Sequence, residues 1–210
     1  MPRTMRTFFD SNSLDSKGFI CLDKTESHHL NKVLRLKNGE EVEALDGRGN
    51  VYDTEIYKRD RINIELKILN KKFFLAPKPL FRMAIAMPKG NRWEDMIRPL
   101  TELGVGRLTP LLTDHSECYT KGKKQEAKSQ KWKKIAIDAC KQSGNPWLPL
   151  LDSPQSFSTF LTNFSEEETV CIGSLSRFAR PFKECELVQK DTISILIGPE
   201  GGWSEEEEQE

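Results

Sequence analysis

The 210-residue chain has no apolar run approaching the length of about 18 residues that a membrane-spanning helix needs. Its opening, Met1-Pro2-Arg3-Thr4-Met5-Arg6, leads into no long hydrophobic stretch, so a signal peptide is not expected and a cytoplasmic protein is. Cysteine is scarce: there are five, an odd number, at positions 21, 118, 140, 171 and 185, with no C-x-x-C among them. That spacing excludes a disulfide scaffold and points to free thiols. His115 and Cys118 are three apart but have no second pair, and His28 and His29 are too close for an i, i+4 ligand pair, so no metal is expected. No Ser-His-Asp arrangement can be placed. There is neither a Gly-Lys-Ser/Thr phosphate loop nor a G-x-G-x-x-G fingerprint, which leaves NTP hydrolysis and nicotinamide chemistry without support. Internal repeats are absent, and the only low-complexity tract is Glu205–Glu208.

Net charge is absent too, but the zero hides an asymmetry. Residues 73–150 carry 14 Lys/Arg against 7 Asp/Glu, whereas residues 151–210 carry 4 against 13. A basic middle suits a polyanion such as nucleic acid; a solvated helix face, as in Lys121 to Lys134, is the plainer reading of part of it. With 37% hydrophobic and 30% charged residues, the composition is globular.

The most informative stretch lies near the end. Thr192 to Ile197 is a short apolar and β-branched run, stopped by Gly198-Pro199-Glu200-Gly201-Gly202. It reads as a buried strand entering a glycine-rich loop. Ser204 with Glu207 three residues on is a capping box, so a helix starts at about Glu205. In open α/β folds the carboxyl ends of the strands form the ligand crevice. An ordinary strand-to-helix turn with a good cap is the alternative.

Before this stretch the chain changes character once. Ser27 to Leu36 predicts a short helix with Ser27 as N-cap, Glu41–Leu45 a strand, Asp46-Gly47 a hairpin turn, and 51–57 and 62–69 two further strands. Residues 1–72 therefore predict a small β-rich barrel, and Ala76-Pro77-Lys78-Pro79 a stiff linker. From residue 80 onward, strands are expected at 81–87, 107–112, 169–175 and 193–197. The helices expected between them carry Trp93, Met96, Ile97, Leu100 and Leu103; Trp132, Ile135, Ala136, Ala139 and Cys140; and Phe157 to Phe164. Pro99 should kink the first helix and Gly104 end it. Alternating strands and helices argue an α/β fold with a parallel sheet. Lys89, Arg92, Glu102, His115 and Glu200 follow strand or helix ends, where candidate chemistry sits.

The run Ile195-Leu196-Ile197-Gly198-Pro199-Glu200-Gly201-Gly202-Trp203-Ser204 resembles the signature of the RsmE family. These are 16S ribosomal RNA uridine-N3 methyltransferases of the SPOUT superfamily. Supporting stretches occur in family order: His28-His29-Leu30 with Val33-Leu34-Arg35-Leu36, Asp46-Gly47, Lys89-Gly90, Thr101-Glu102-Leu103-Gly104-Val105, Pro110-Leu111, Trp132 with Ile135 and Ala136, and Gln142-Ser143-Gly144.

The resemblance implies a PUA-like RNA-binding barrel over 1–72 and a SPOUT trefoil-knot methyltransferase domain over 80–210, acting as a homodimer on 16S rRNA in the 30S subunit. It implies S-adenosylmethionine as cofactor, held by Leu196, Ile197, Gly198, Pro199, Glu200, Gly201 and Gly202. It implies RNA contacts from His29, Arg35, Lys89 and Arg92. The base that takes the N3 proton is not identified, and Glu102, Arg92 and Lys89 are the candidate catalytic residues. Family members continue past the helix at Glu205 with a segment that threads the knot. The 210-residue chain is expected to lack that segment and, on its own, to be impaired in cofactor binding and catalysis. A non-catalytic RNA- or ribosome-binding module is the second reading, and a generic nucleotide-binding enzyme a distant third. Pro99, His115 and Trp203 depart from the family pattern.

Overall fold

The structure, a computed structural model, describes residues 4–60, 62–90, 92–116, 123–163, 165, 167–175, 179–184 and 190–209, with backbone alone at 123 and 124. Cys118, Cys185 and Phe164 lie outside the described residues, as does the start of the 121–134 charged run. The chain divides into two compact units, Met1–Ala76 with Ile137–Leu148, and Pro77–Ala136 with Pro149–Glu210.

In the first unit, β1 (Arg6–Phe8), β2 (Phe19–Cys21), β3 (Glu41–Leu45), β4 (Asn50–Arg59) and β5 (Ile64–Phe73) form a mixed sheet in the order β1-β3-β4-β5-β2. β1 runs parallel to β3, and the other ladders are antiparallel. The predicted alternation holds in β3, where Val42 and Ala44 are buried between outward glutamates. The core gathers Ile20, Leu30, Val42, Tyr52, Ile56, Ile64 and Leu66. β2 has too short an apolar run to announce itself in the sequence, and β5 runs four residues past its expected end.

The first helix, α1 (Lys24–His28), starts four residues earlier than the sequence suggests and passes into a π-helical turn over His29–Val33. Its N-cap is Asp23, whose Oδ1 accepts from the Glu26 backbone N–H at 2.8 Å; Ser27 is not the cap. Ser27 is instead buried, donating from Oγ to the Leu22 carbonyl and accepting from the Ile64 backbone N–H. Asp and Ser cap about equally well, so the choice falls to burial: the Ser27 hydroxyl serves backbone groups that water cannot reach, and Asp23 caps the helix.

Glu26, 6% exposed, is the polar centre of this unit. Its Oε2 accepts from Thr7 Oγ at 2.7 Å and its Oε1 from Lys141 Nζ at 2.6 Å. Burial acts against the Lys141 charge, but the Glu26 carboxylate, with Asp138 in support, outweighs it, and the Lys141 pKa lies above the ordinary lysine value. Leu45, Val51 and Cys140 form a second small core against Phe8 and Leu148. Burial pushes the Cys140 thiol up to about 12, so it is an inert core residue.

The second unit is a parallel sheet of six strands among the described residues. They are β6 (Leu80–Ala86), β7 (Arg107–Leu112), β8 (Leu150–Leu151), β9 (Gln155–Ser156), β10 (Glu168–Gly173) and β11 (Thr192–Ile197). The order is β10-β11-β6-β7-β8, with β9 also on β7, and every ladder is parallel. The two-residue strands β8 and β9 carry no periodic signal. The helices are α2 (Arg92–Glu102), α3 (Lys123–Ser143, of which the part from Ile137 belongs to the first unit), α4 (Phe157–Thr162) and α5 (Glu205–Gln209).

α2 buries Trp93, Ile97 and Thr101; Leu103, expected on that face, is 81% exposed. Gly104 explains this. With φ at +84°, it turns the chain into a Schellman stop, Gly104 N–H reaching Thr101 O and Val105 N–H reaching Leu100 O. Leu103 then sits beyond the last helical turn. Pro99 lies within α2, which continues through it.

Arg82 is an unexpected charge in an apolar strand, 5% exposed. Its Nε donates to Thr109 Oγ at 3.0 Å, its guanidinium lies 3.6 Å from both Asp152 and Glu168, and it stacks 4.4 Å from the Phe160 ring centroid. Burial lowers its pKa, aided by Arg107, while the two carboxylates hold it up. Asp152 is itself held bidentately by Arg107, at 2.8 and 3.0 Å.

Candidate active site

β11, β6 and β7 are neighbours in one parallel sheet, so the loops leaving their carboxyl ends converge. Lys89 after β6, His115 after β7, and Glu200 and Gly201 after β11 line a cleft of about 550 Å³. Arg92, at the start of α2, pairs its Nη1 with Glu200 Oε1, joining the helix to the glycine-rich loop. His115 Nδ1 lies 3.0 Å from the Gly202 carbonyl oxygen. A carbonyl can only accept, so Nδ1 carries the proton.

The glycine loop is anchored from behind. A Cβ on Gly198 would meet the Trp203 ring at 2.9 Å. That ring cannot withdraw: Nε1 donates to the Gly173 carbonyl at 2.9 Å, and Phe157 packs on it at 4.9 Å. Gly202 takes φ of +77°, a conformation in which a side chain is strained. The capping box closes as read from the sequence. Ser204 N–H donates to Glu207 Oε2 at 3.0 Å, and Glu207 N–H donates to Ser204 Oγ at 3.3 Å. Two links outside the motif tie it to the loop after β7: Asp114 N–H donates to Glu207 Oε1 at 3.0 Å, and Ser204 Oγ donates to Asp114 Oδ2 at 2.7 Å.

Glu207 thus serves two backbone amides while 8% exposed. Glu207→Leu is expected to lower the unfolding free energy by about 2–3 kcal/mol, because buried N–H groups lose their acceptor. Urea denaturation measures it, and an unchanged midpoint would mean that water replaces the carboxylate.

The sequence candidates distribute unevenly. Lys89, Arg92, Glu200 and Gly201 come together at the cleft. In the 196–202 stretch, Leu196 has its side chain in the core with Ala84 and Phe160, and Pro199 is buried, whereas Ile197 is 40% exposed. Glu102 stands ten residues beyond Arg92, about 15 Å along the helix, and pairs with Arg98 at 3.8 Å, so it does not line the cleft. His29 and Arg35 belong to the first unit. His29 is half-buried at the start of the π-helical turn, and Arg35, exposed, holds φ of +56°. Sequence reasoning missed the His115–Gly202 and Glu207–Asp114 links, which are contacts across 87 and 93 residues.

The RNA methyltransferase domain family matches residues 77–210. The chain belongs to that family. An RNA methyltransferase PUA domain matches residues 22–69, within the first unit. Among relatives in the family, the ribosomal RNA small subunit methyltransferase E of Synechocystis sp. is 32% identical over 191 residues, covering 90% of this chain and 61% of the relative's length. That of Buchnera aphidicola subsp. Schizaphis graminum is 28% identical, covering 97% and 81%. The crystal structure of the same enzyme from Neisseria gonorrhoeae, bound to S-adenosyl methionine, superposes with a TM-score of 0.87 at 26% identity, covering 98% of this chain and 84% of that one. The resemblance to the RsmE family read from the glycine loop therefore stands. Among the described residues no helix is long and apolar enough to cross a membrane.

Proposed function

We propose that the protein transfers a methyl group from S-adenosylmethionine to N3 of a uridine in small-subunit ribosomal RNA. The observation that supports this best is the glycine loop at the carboxyl end of β11. It is close-packed on Trp203, tied to His115 and Asp114, and open to a cleft beside Lys89 and Arg92. The residues fit the cofactor. Gly198 and Gly201 place no side chain over the loop backbone, Ile197 offers an exposed apolar side chain, and Glu200 offers a carboxylate for a cationic group. Thr113 Oγ, buried and without a hydrogen-bond partner among the described residues, lies two positions before His115. When bound, the cofactor supplies an activated methyl on a sulfonium. Lys89 and Arg92 hold RNA phosphate or the uracil anion by charge.

The remaining parts of the reading follow the family. The barrel of residues 1–72 grips RNA, with His29 and Arg35 among its contacts, and residues 80–210 belong to the methyltransferase domain. The protein works in the cytoplasm as a homodimer on the 30S subunit.

Calorimetric titration of S-adenosylmethionine into the protein tests the proposal, together with methyl transfer to unmodified 30S subunits. Cofactor binding with methylation at N3 is the expected result. A folded protein that binds RNA with a steep salt dependence but binds no cofactor would replace the enzyme with an RNA-binding module.

A further inference from the structure

We propose that His115 is the group that accepts the N3 proton of the target uridine, an assignment that rests on the methyltransferase reading. Deprotonation at N3 calls for a proton acceptor at the cleft that holds the methyl donor. The structure offers His115 in a defined state. Its Nδ1–H is committed to the Gly202 carbonyl at 3.0 Å. In the neutral ring the lone pair is then on Nε2, and Nε2 has no hydrogen-bond partner among the described residues. The ring is exposed and lines the cleft beside Gly201, where an added Cβ would touch His115 Cβ at 3.3 Å.

The other cleft groups suit the task less well. Glu200 is occupied by Arg92, and Lys89 is a cation at neutral pH. The charges arrayed around the ring are Lys89 from the loop after β6, Glu200 from the glycine loop with Arg92 against it, Asp114 beside it in sequence, and Glu207 from α5, bonded to the Asp114 amide.

The step moves one proton. The N3–H proton passes to His115 Nε2, and the N–H electron pair stays on N3. That pair bonds the methyl carbon as the carbon–sulfur bond breaks with its electrons on sulfur, and the imidazolium releases its proton to water. The Gly202 hydrogen bond persists throughout, because Nδ1 is protonated in both states of the ring.

Two variants separate this role from one of merely holding the loop. Asn at position 115 places an N–H donor near Nδ1 but has nothing at Nε2; Ala has neither. His115→Asn is expected to bind S-adenosylmethionine within about threefold of wild type while kcat falls by about 100-fold or more. His115→Ala is expected to lose cofactor affinity as well. A readout independent of turnover is the long-range ¹H–¹⁵N NMR spectrum of the protein, which should show the neutral ring protonated on Nδ1. Near-wild-type turnover by His115→Asn, or a ring protonated on Nε2, overturns the assignment and leaves the enzyme standing. A wild type that binds cofactor yet methylates no RNA overturns both.

Discussion

Lys141→Met is expected to remove about 3–5 kcal/mol of stability, measured by urea denaturation of the first unit's signals, because it strands the Glu26 carboxylate in the interior. Lys141 and Glu26 side chains are 10% and 8% exposed, and the pair closes at 2.6 Å. The loss is not the worth of the attraction. It is mostly the cost of a buried charge whose remaining partners are the Thr7 hydroxyl and the Phe8 amide. The double variant Glu26→Gln, Lys141→Met should therefore recover much of the loss, and a double-mutant cycle without coupling would refute this account. The pH dependence has a definite sign. Lys141 holds its proton more tightly folded than unfolded, with a pKa above the ordinary 10.5. Its contribution is complete below that value and is lost as pH rises through the folded pKa. Wild type and the Lys141→Met variant should converge in stability only in strong alkali.

Gly198→Val is expected to weaken S-adenosylmethionine binding by at least about tenfold, or 1.4 kcal/mol, and to cost about 1–3 kcal/mol of stability through overpacking. The new side chain would overlap an indole pinned by the Gly173 carbonyl and by Phe157. Either Trp203 leaves its hydrogen bond or the loop lifts toward the cleft. Gly202→Ala is the comparison: nothing lies within 4 Å of its Cβ, so the strain is confined to a φ of +77°, about 1–2 kcal/mol. Calorimetry on both, with thermal denaturation alongside, separates a steric loop from a merely flexible one. Wild-type affinity in Gly198→Val would mean that the loop does not depend on its seat on Trp203.

The elements that sequence periodicity reveals are those whose burial is one-sided or complete. β3 alternates, β7 spans the expected residues, and the capping box of Ser204 and Glu207 marks the start of α5 correctly. What escaped has a common cause: it depends on partners distant in the chain. β8 and β9 are two residues each and exist because β7 offers an edge. Ser27 looks like a cap until Ile64 claims its hydroxyl. Arg82 lies within a stretch expected to be an apolar strand, and only the fold supplies Asp152, Glu168 and Phe160 around it. In the candidate site, the chemistry-bearing residue types were visible one by one. Their convergence was not, because strand order places loops from residues 89, 115 and 200 side by side. Glu102 shows the converse: a residue close to Arg92 in sequence is carried away from the cleft by the helix between them.

The return of Ile137–Leu148 to the first unit has a consequence for biosynthesis. A nascent chain exposes all five strands of the first sheet by Phe73, yet Cys140 and Leu148 complete the small core around Leu45 and Val51, and Lys141 neutralises Glu26. Domains generally fold as units as they leave the ribosome. Here the N-terminal unit must wait for more than sixty further residues, most of them belonging to the other unit, before its interior charge has a counter-ion. The leading half of this protein cannot finish folding until the trailing half is well under way.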